Sequence, residues 1–155
     1  MTDTVREQIL SALVTKFQGQ SNTAPLGDPY PFAWDQVLRA PTRDWAYKRK
    51  RSLAIYDQHE SKTNLSATKE CVLRVMFEIA LVCNGDENPS TMMNEIFGTI
   101  QRQLSSDPGL GGLCKDIQEV TNDLQIDDEL KRTVRGVVVV DIKYRHALSD
   151  PRRVV

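Results

Sequence analysis

From residue 71 to residue 83 the chain alternates strictly: Cys71, Leu73, Val75, Phe77, Ile79, Leu81 and Cys83 fall on every second position, with Glu70, Arg74 and Glu78 out of phase. Side chains at that period share one face of a β-strand, whereas a helix scatters them over all its sides. The spacing predicts a strand well beyond the usual length of about 5 to 6 residues. Arg51 to Asp57 alternates through Leu53 and Ile55 and supplies an antiparallel partner, so the two form a hairpin. Its connection, His59 to Thr68, is polar and reads as an exposed loop that extends over a neighbouring subunit.

Two stretches carry the helical interval instead. Val5, Ile9, Leu10, Leu13, Val14 and Phe17 predict an amphipathic helix over 3–18, capped by Thr2 or Asp3 and stopped by Gly19. Met92, Met93, Ile96, Phe97, Ile100 and Leu104 predict a second, from an Ser90 N-cap through Ser105, after a turn over Asn84 to Pro89. Residues 18–31, rich in Gly, Pro, Asn and Ser, read as a loop, and 32–40 as a short strand.

Pro108 and the glycines of Asp107-Pro108-Gly109-Leu110-Gly111-Gly112-Leu113 end the second helix near Ser106. Strands follow over 114–126 and 133–146, separated by the acidic turn Asp127-Asp128-Glu129, and the proline of Asp150-Pro151 ends the pairing. The expected fold is α+β: a mostly antiparallel sheet of about four strands with two helices packed on one face, in a single domain over 1–155. A chain of 155 residues buries about 70% of its unfolded surface, which suffices for one core without disulfide or metal.

The order of helix, Leu-Gly-Gly turn, strand, then a strand ending in Tyr144-Arg145 followed by proline resembles the C-terminal half of the tail-terminator proteins of long-tailed phages, the minor tail protein U-like group. The N-terminal helix, the variable extended region, the long strand and the second helix extend the resemblance over most of the chain. It implies a virion structural protein, assembled in the host cytoplasm and sited at the head-proximal end of the tail. Such proteins form a hexameric ring that docks on the last ring of tail-tube protein, stops tube polymerisation and offers its other face to the head–tail connector. DNA passes through the lumen without specific binding. A head-proximal neck or connector protein is the alternative within the same machinery.

Charge and composition fit a non-enzymatic role. Lys and Arg number 20 against 21 Asp and Glu, a formal net charge of −1, which argues against a wholly basic nucleic-acid-gripping face. Met1 to Lys16 is charged throughout, unlike a signal peptide, and no apolar run reaches the length of a membrane span, so a soluble intracellular protein is expected. Cys71 and Cys83 lie about 40 Å apart if both are on one strand and cannot pair, and no Cys/His spacing suggests zinc, so the cysteines are expected reduced and buried. No cofactor is expected.

Catalytic constellations are sparse. Asp141-Ile142-Lys143 on a strand, preceded by Asp127 or Asp128, resembles the acidic and D/E-x-K set of restriction-like metal-dependent nucleases, the alternative from another class. Asp141 and Lys143 also occupy the outward phase of a half-solvated strand. The Gly109 to Gly112 run follows a helix and opens a strand, the reverse of a phosphate-binding loop. His59 and His146 are the only histidines, and His59-Glu60 lacks the second histidine of a zinc motif. Lys48, Arg49, Lys50 and Arg51, after Trp45 and Tyr47, form the main basic run, and this pattern can hold single-stranded nucleic acid. Near-zero net charge points instead to a charged rim. The candidate interface residues are therefore Lys48, Arg49, Lys50, Arg51, His59, Glu60, Lys62, Asp127, Asp128 and Glu129, with the basic run and the acidic turn as complementary surfaces.

Overall fold

The structure, a computed structural model, describes residues 3–19, 33–42, 44–128 and 132–155. The elements run α1 (Val5–Gln18), β1 (Gln36–Arg39), β2 (Arg51–Leu65), β3 (Thr68–Val82), α2 (Pro89–Ser106), β4 (Asp116–Asp128), β5 (Thr133–Ala147) and β6 (Asp150–Val154). One sheet holds the strands in the order β1-β2-β3-β5-β4, with β6 paired to β5. All its pairings are antiparallel except β1 with β2, so the fold is α+β with a mixed, mostly antiparallel sheet.

The alternation from Cys71 is borne out: Cys71, Leu73, Val75, Phe77, Ile79 and Leu81 are fully buried. Both helices cover the face these residues define. Phe17 of α1 meets Phe77 edge-on with ring centroids 5.4 Å apart, and α2 packs over Gly136, the neighbour of Ile79 across the β3–β5 ladder. Glycine leaves room there for α2, since a Cβ at residue 136 would lie 2.5 Å from Met93 Sδ and displace that side chain. Of the α2 stripe, Met93, Ile96, Phe97, Ile100 and Leu104 are buried and Met92 partly so.

Several sequence-based boundaries are corrected. Thr4, not Thr2 or Asp3, caps α1, its hydroxyl accepting the Glu7 amide at 3.3 Å; Thr2 lies outside the described residues, as do residues 20–31 of the expected loop. The strand expected over 32–40 is Gln36–Arg39. Asn88, not Ser90, caps α2, accepting from the Thr91 amide at 3.1 Å, and Pro89 fills the first turn, where its missing N–H costs nothing.

The largest correction concerns His59 to Thr68, which is strand up to a tight turn at Ser66 and Ala67. A register shift between Asp57 and Glu60 resets the pairing, and β5 runs alongside to the end, with Ala147 opposite Thr68. A polar strand of this kind draws its order from the ladder rather than from apolar burial. Among the described residues the sheet has six strands, not about four. Asp127 and Asp128 end β4 instead of forming a turn, and Glu129 lies outside the described residues. Pro151 sits within β6, whose pairing with β5 is confined to His146 with Val154 and Ala147 with Asp150, so no ladder bond needs its N–H. Among the described residues no helix is long and apolar enough to cross a membrane.

Candidate assembly surface

The hairpin of β2 and β3 carries a polar cluster at its distal half, on the helix side, where Thr4 and Arg6 at the start of α1 and Pro151 of β6 line it. Glu60 is the centre, its side chain only 5% exposed. Tyr144 of β5 donates its hydroxyl to Glu60 Oε1, Lys62 Nζ lies 3.0 Å from Oε2, and Arg6 of α1 lies 3.6 Å from the same oxygen. Arg6 also binds Asp57. Burial works to raise the Glu60 pKa, but the Tyr144 hydroxyl, Lys62 and Arg6 outweigh it and hold the carboxyl below its ordinary range. Burial, then the neighbouring Glu60 charge, pushes the Tyr144 phenol far up, so it stays a donor. His146 is buried beside them with Nδ1 2.8 Å from the Ala147 carbonyl. A hollow of about 160 Å³ lies between these groups.

The face away from the helices is built from ionic rungs. Arg74 binds both oxygens of Asp141 at 2.9 and 3.0 Å, Glu70 meets Arg145 at 2.7 Å and Lys143 at 3.2 Å, and Glu78 meets Arg135 at 3.3 Å. Val72, Met76, Val137 and Val139 are half-buried between them. Arg74 holds the Asp141 carboxyl below its usual range. Residues 44–50 cross the lower end of this face, where Ser52, Ala54 and Ala80 are fully buried. There the Gln36 amide donates to the Trp45 carbonyl at 3.3 Å, and Tyr47 donates its hydroxyl to Asp127. Burial and that carboxylate push the Tyr47 phenol up to about 12. The Arg135 guanidinium lies 5.9 Å from the Tyr47 ring centroid and 3.5 Å from Asp127.

Within one chain the basic run and the acidic segment find other partners: Asp127 is met by Tyr47 and Arg135, neither of them in the run. Lys50 binds Glu87 at 3.0 Å, and the Arg51 amide donates to Asp35 at 2.9 Å, while Lys48 and Arg49 are exposed. His59 is exposed, and Lys62, exposed as well, stands on the same face of the hairpin as Glu60 and binds it, while Glu60 is buried and acts as a structural centre. Asp128 faces Thr133 across the ladder.

The nuclease set does not converge as the sequence suggested. Asp127 lies beside Val134 in the ladder, seven residues along β5 from Asp141, or about 23 Å. The carboxylate that the fold does bring to Asp141 and Lys143 is Asp116, in a shared hollow of about 280 Å³. Yet both Asp141 oxygens are taken by Arg74, and Lys143 faces Glu70. Among the described residues no group of three or more His, Cys, Asp or Glu side chains is placed to hold a metal. The three cysteines are free and buried.

Tyr144 and Arg6 were missed from the sequence. The alternation of Val140, Ile142 and Tyr144 marks Tyr144 as inward, but only the register that sets it opposite Cys71 reveals the neighbouring carboxylate. Compared with models of known protein families and with curated protein sequences, the chain matches none.

Proposed function

We propose that this chain is a structural subunit of a phage tail, a terminator-like protein that assembles as a ring on the tail tube, ends tube growth and meets the head connector. The observation that carries this reading is the long hairpin β2–β3, extended by β5 and braced by the Glu60 cluster, whose strands run on together past Glu60 to the turn at Ser66 and Ala67 with Ser61 to Asn64 exposed. A domain that only needed a core has no use for this extension, whereas a subunit gripping neighbours needs a stiff, exposed and polar one. The resemblance to tail terminators rests on the order of helix, long strand, helix and two further strands, which the elements keep, while the polar loop expected ahead of the long strand is itself strand.

A ring fits termination physically. Head-to-tail contacts that close leave no free end, and a closing ring whose far face differs from the tube stops further addition. The ionic rungs beside Val72, Met76, Val137 and Val139 make a face that suits docking without large apolar exposure. Light scattering and negative-stain imaging of the purified protein over a range of concentrations test the reading. Closed rings of one stoichiometry support it, and a monomer at every concentration that also fails to bind tail tubes refutes it.

A further inference from the structure

Besides β6, the sheet offers two open edges among the described residues. Among the described residues nothing pairs with β4 on the side away from β5, and nothing pairs with Asp57–Leu65 of β2 on the side away from β3, because β1 stops opposite Ile55. A strand edge of this length exposes backbone donors and acceptors and invites a further strand. The directions match: β2 and β5 run one way, β3 and β4 the other. A second copy turned about an axis along the strands therefore sets its β2 antiparallel to this copy's β4, continuing the alternation without interruption.

Charge selects this pairing over its competitor. β4 carries Asp116, Glu119, Asp123, Asp127 and Asp128 and no Lys or Arg, so two β4 edges meeting about a twofold axis bring like charges together. The distal β2 edge is different. Its carboxylates, Asp57 and Glu60, are already bound by Arg6 and Lys62, and His59 and Lys69 stand nearby. Val120 on β4, 47% exposed, gives the edge an apolar contact to bury.

We infer that copies of this chain join edge to edge, β4 of one to the Asp57–Leu65 edge of the next, so that the ring is a continuous β-sheet. The inference rests on the ring reading above and specifies its interface. Such a contact is heterologous, with different patches on its two sides, and closes only when the turn per subunit divides a full circle. The ionic rungs then face one side of the closed sheet and the helices the other.

Cysteine crosslinking tests it. Ser61 on β2 and Gln118 on β4 are exposed, their ladder partners Val72 and Asp141 belong to the helix-free face, and they stand within two residues of one level of the sheet, since Ser61 lies opposite Val72, Val72 opposite Lys143 and Lys143 opposite Asp116. Ser61→Cys and Gln118→Cys are treated with a flexible thiol-to-thiol crosslinker, singly and in mixtures, with the unsubstituted chain controlling for its buried cysteines. The expected result is crosslinked dimer only when Ser61→Cys is mixed with a β4 variant, and a ladder ending in one closed species when both sites are on one chain. Rings in light scattering without mixed crosslinks overturn the edge interface and leave the ring reading standing. Crosslinking of a β4 variant with itself overturns it in favour of twofold pairing, and absence of both rings and crosslinks overturns both readings.

Discussion

Replacing Glu60 with glutamine isolates the charge that holds the base of the distal hairpin. The amide keeps the size of the side chain and its oxygen still accepts from Tyr144, so the main loss is the negative charge facing Arg6 and Lys62. Stranding the partners of a fully buried ion pair costs about 3–5 kcal/mol. Here Arg6 and Lys62 are 33% and 48% exposed, and solvent recovers much of that. The expected loss is about 1–3 kcal/mol, the range of a charged hydrogen bond. For a domain of this size each kcal/mol shifts Tm by about 3 °C, which gives a fall of about 3–9 °C near neutral pH. The sign of the pH dependence follows from the depressed carboxyl of Glu60. Its contribution is present above the unfolded-state value of about 4.3 and is lost as pH falls through the lower folded-state value. Thermal unfolding of both proteins from pH 7 to pH 3 is the assay, and the gap should close in acid. An unchanged Tm at pH 7, or a gap that persists undiminished at pH 3, refutes the role assigned to this carboxylate.

Other perturbations probe the remaining elements. Gly136→Ala forces Met93 and Phe97 off β5 and should cost about 1–3 kcal/mol in denaturant unfolding, as overpacking does, and Met93→Ala in the same chain should relieve part of it. Lys48→Glu with Arg49→Glu should leave Tm within about 1 °C, since both are exposed, whereas Lys50→Glu opposes Glu87 and should lower it by a few degrees. Arg74→Ala removes a partly exposed pair and should cost no more than about 1 kcal/mol, and neither it nor Asp141→Asn should alter the products when plasmid DNA is incubated with Mg²⁺. Cleavage that appears with Mg²⁺ and vanishes with Asp141→Asn would revive the nuclease alternative.

Elements whose order comes from one-sided apolar burial were legible in the sequence. β3 and α2 show it most clearly, because each presents one face to the same core and the other to solvent or to ionic partners. The distal half of β2 was not, since His59 to Asn64 owes its extended state to β3, which is in turn held by β5, and a ladder leaves no trace in the side chains of its polar member. β6 was hidden by Pro151, which marks the end of a strand only where its N–H would have been needed. Among candidate residues, composition identified Glu60 and Lys62 but placed them on a loop surface. The strand register brings Tyr144 to Glu60 and Arg135 to Asp127, while the packing of α1 adds Arg6 and the segment ahead of β2 adds Tyr47. Charges that look complementary in a linear reading are in part already satisfied within the fold.

The proposal that this chain caps a polymerising tail tube is tested most directly on the tube itself. The cognate tail-tube protein is polymerised with increasing amounts of this protein, and the tube lengths and tube ends are measured by electron microscopy. Tubes should stop growing and carry one added ring at a single end, at a ratio of about one ring per tube. Tubes that elongate at the same rate with bare ends at every ratio would contradict it.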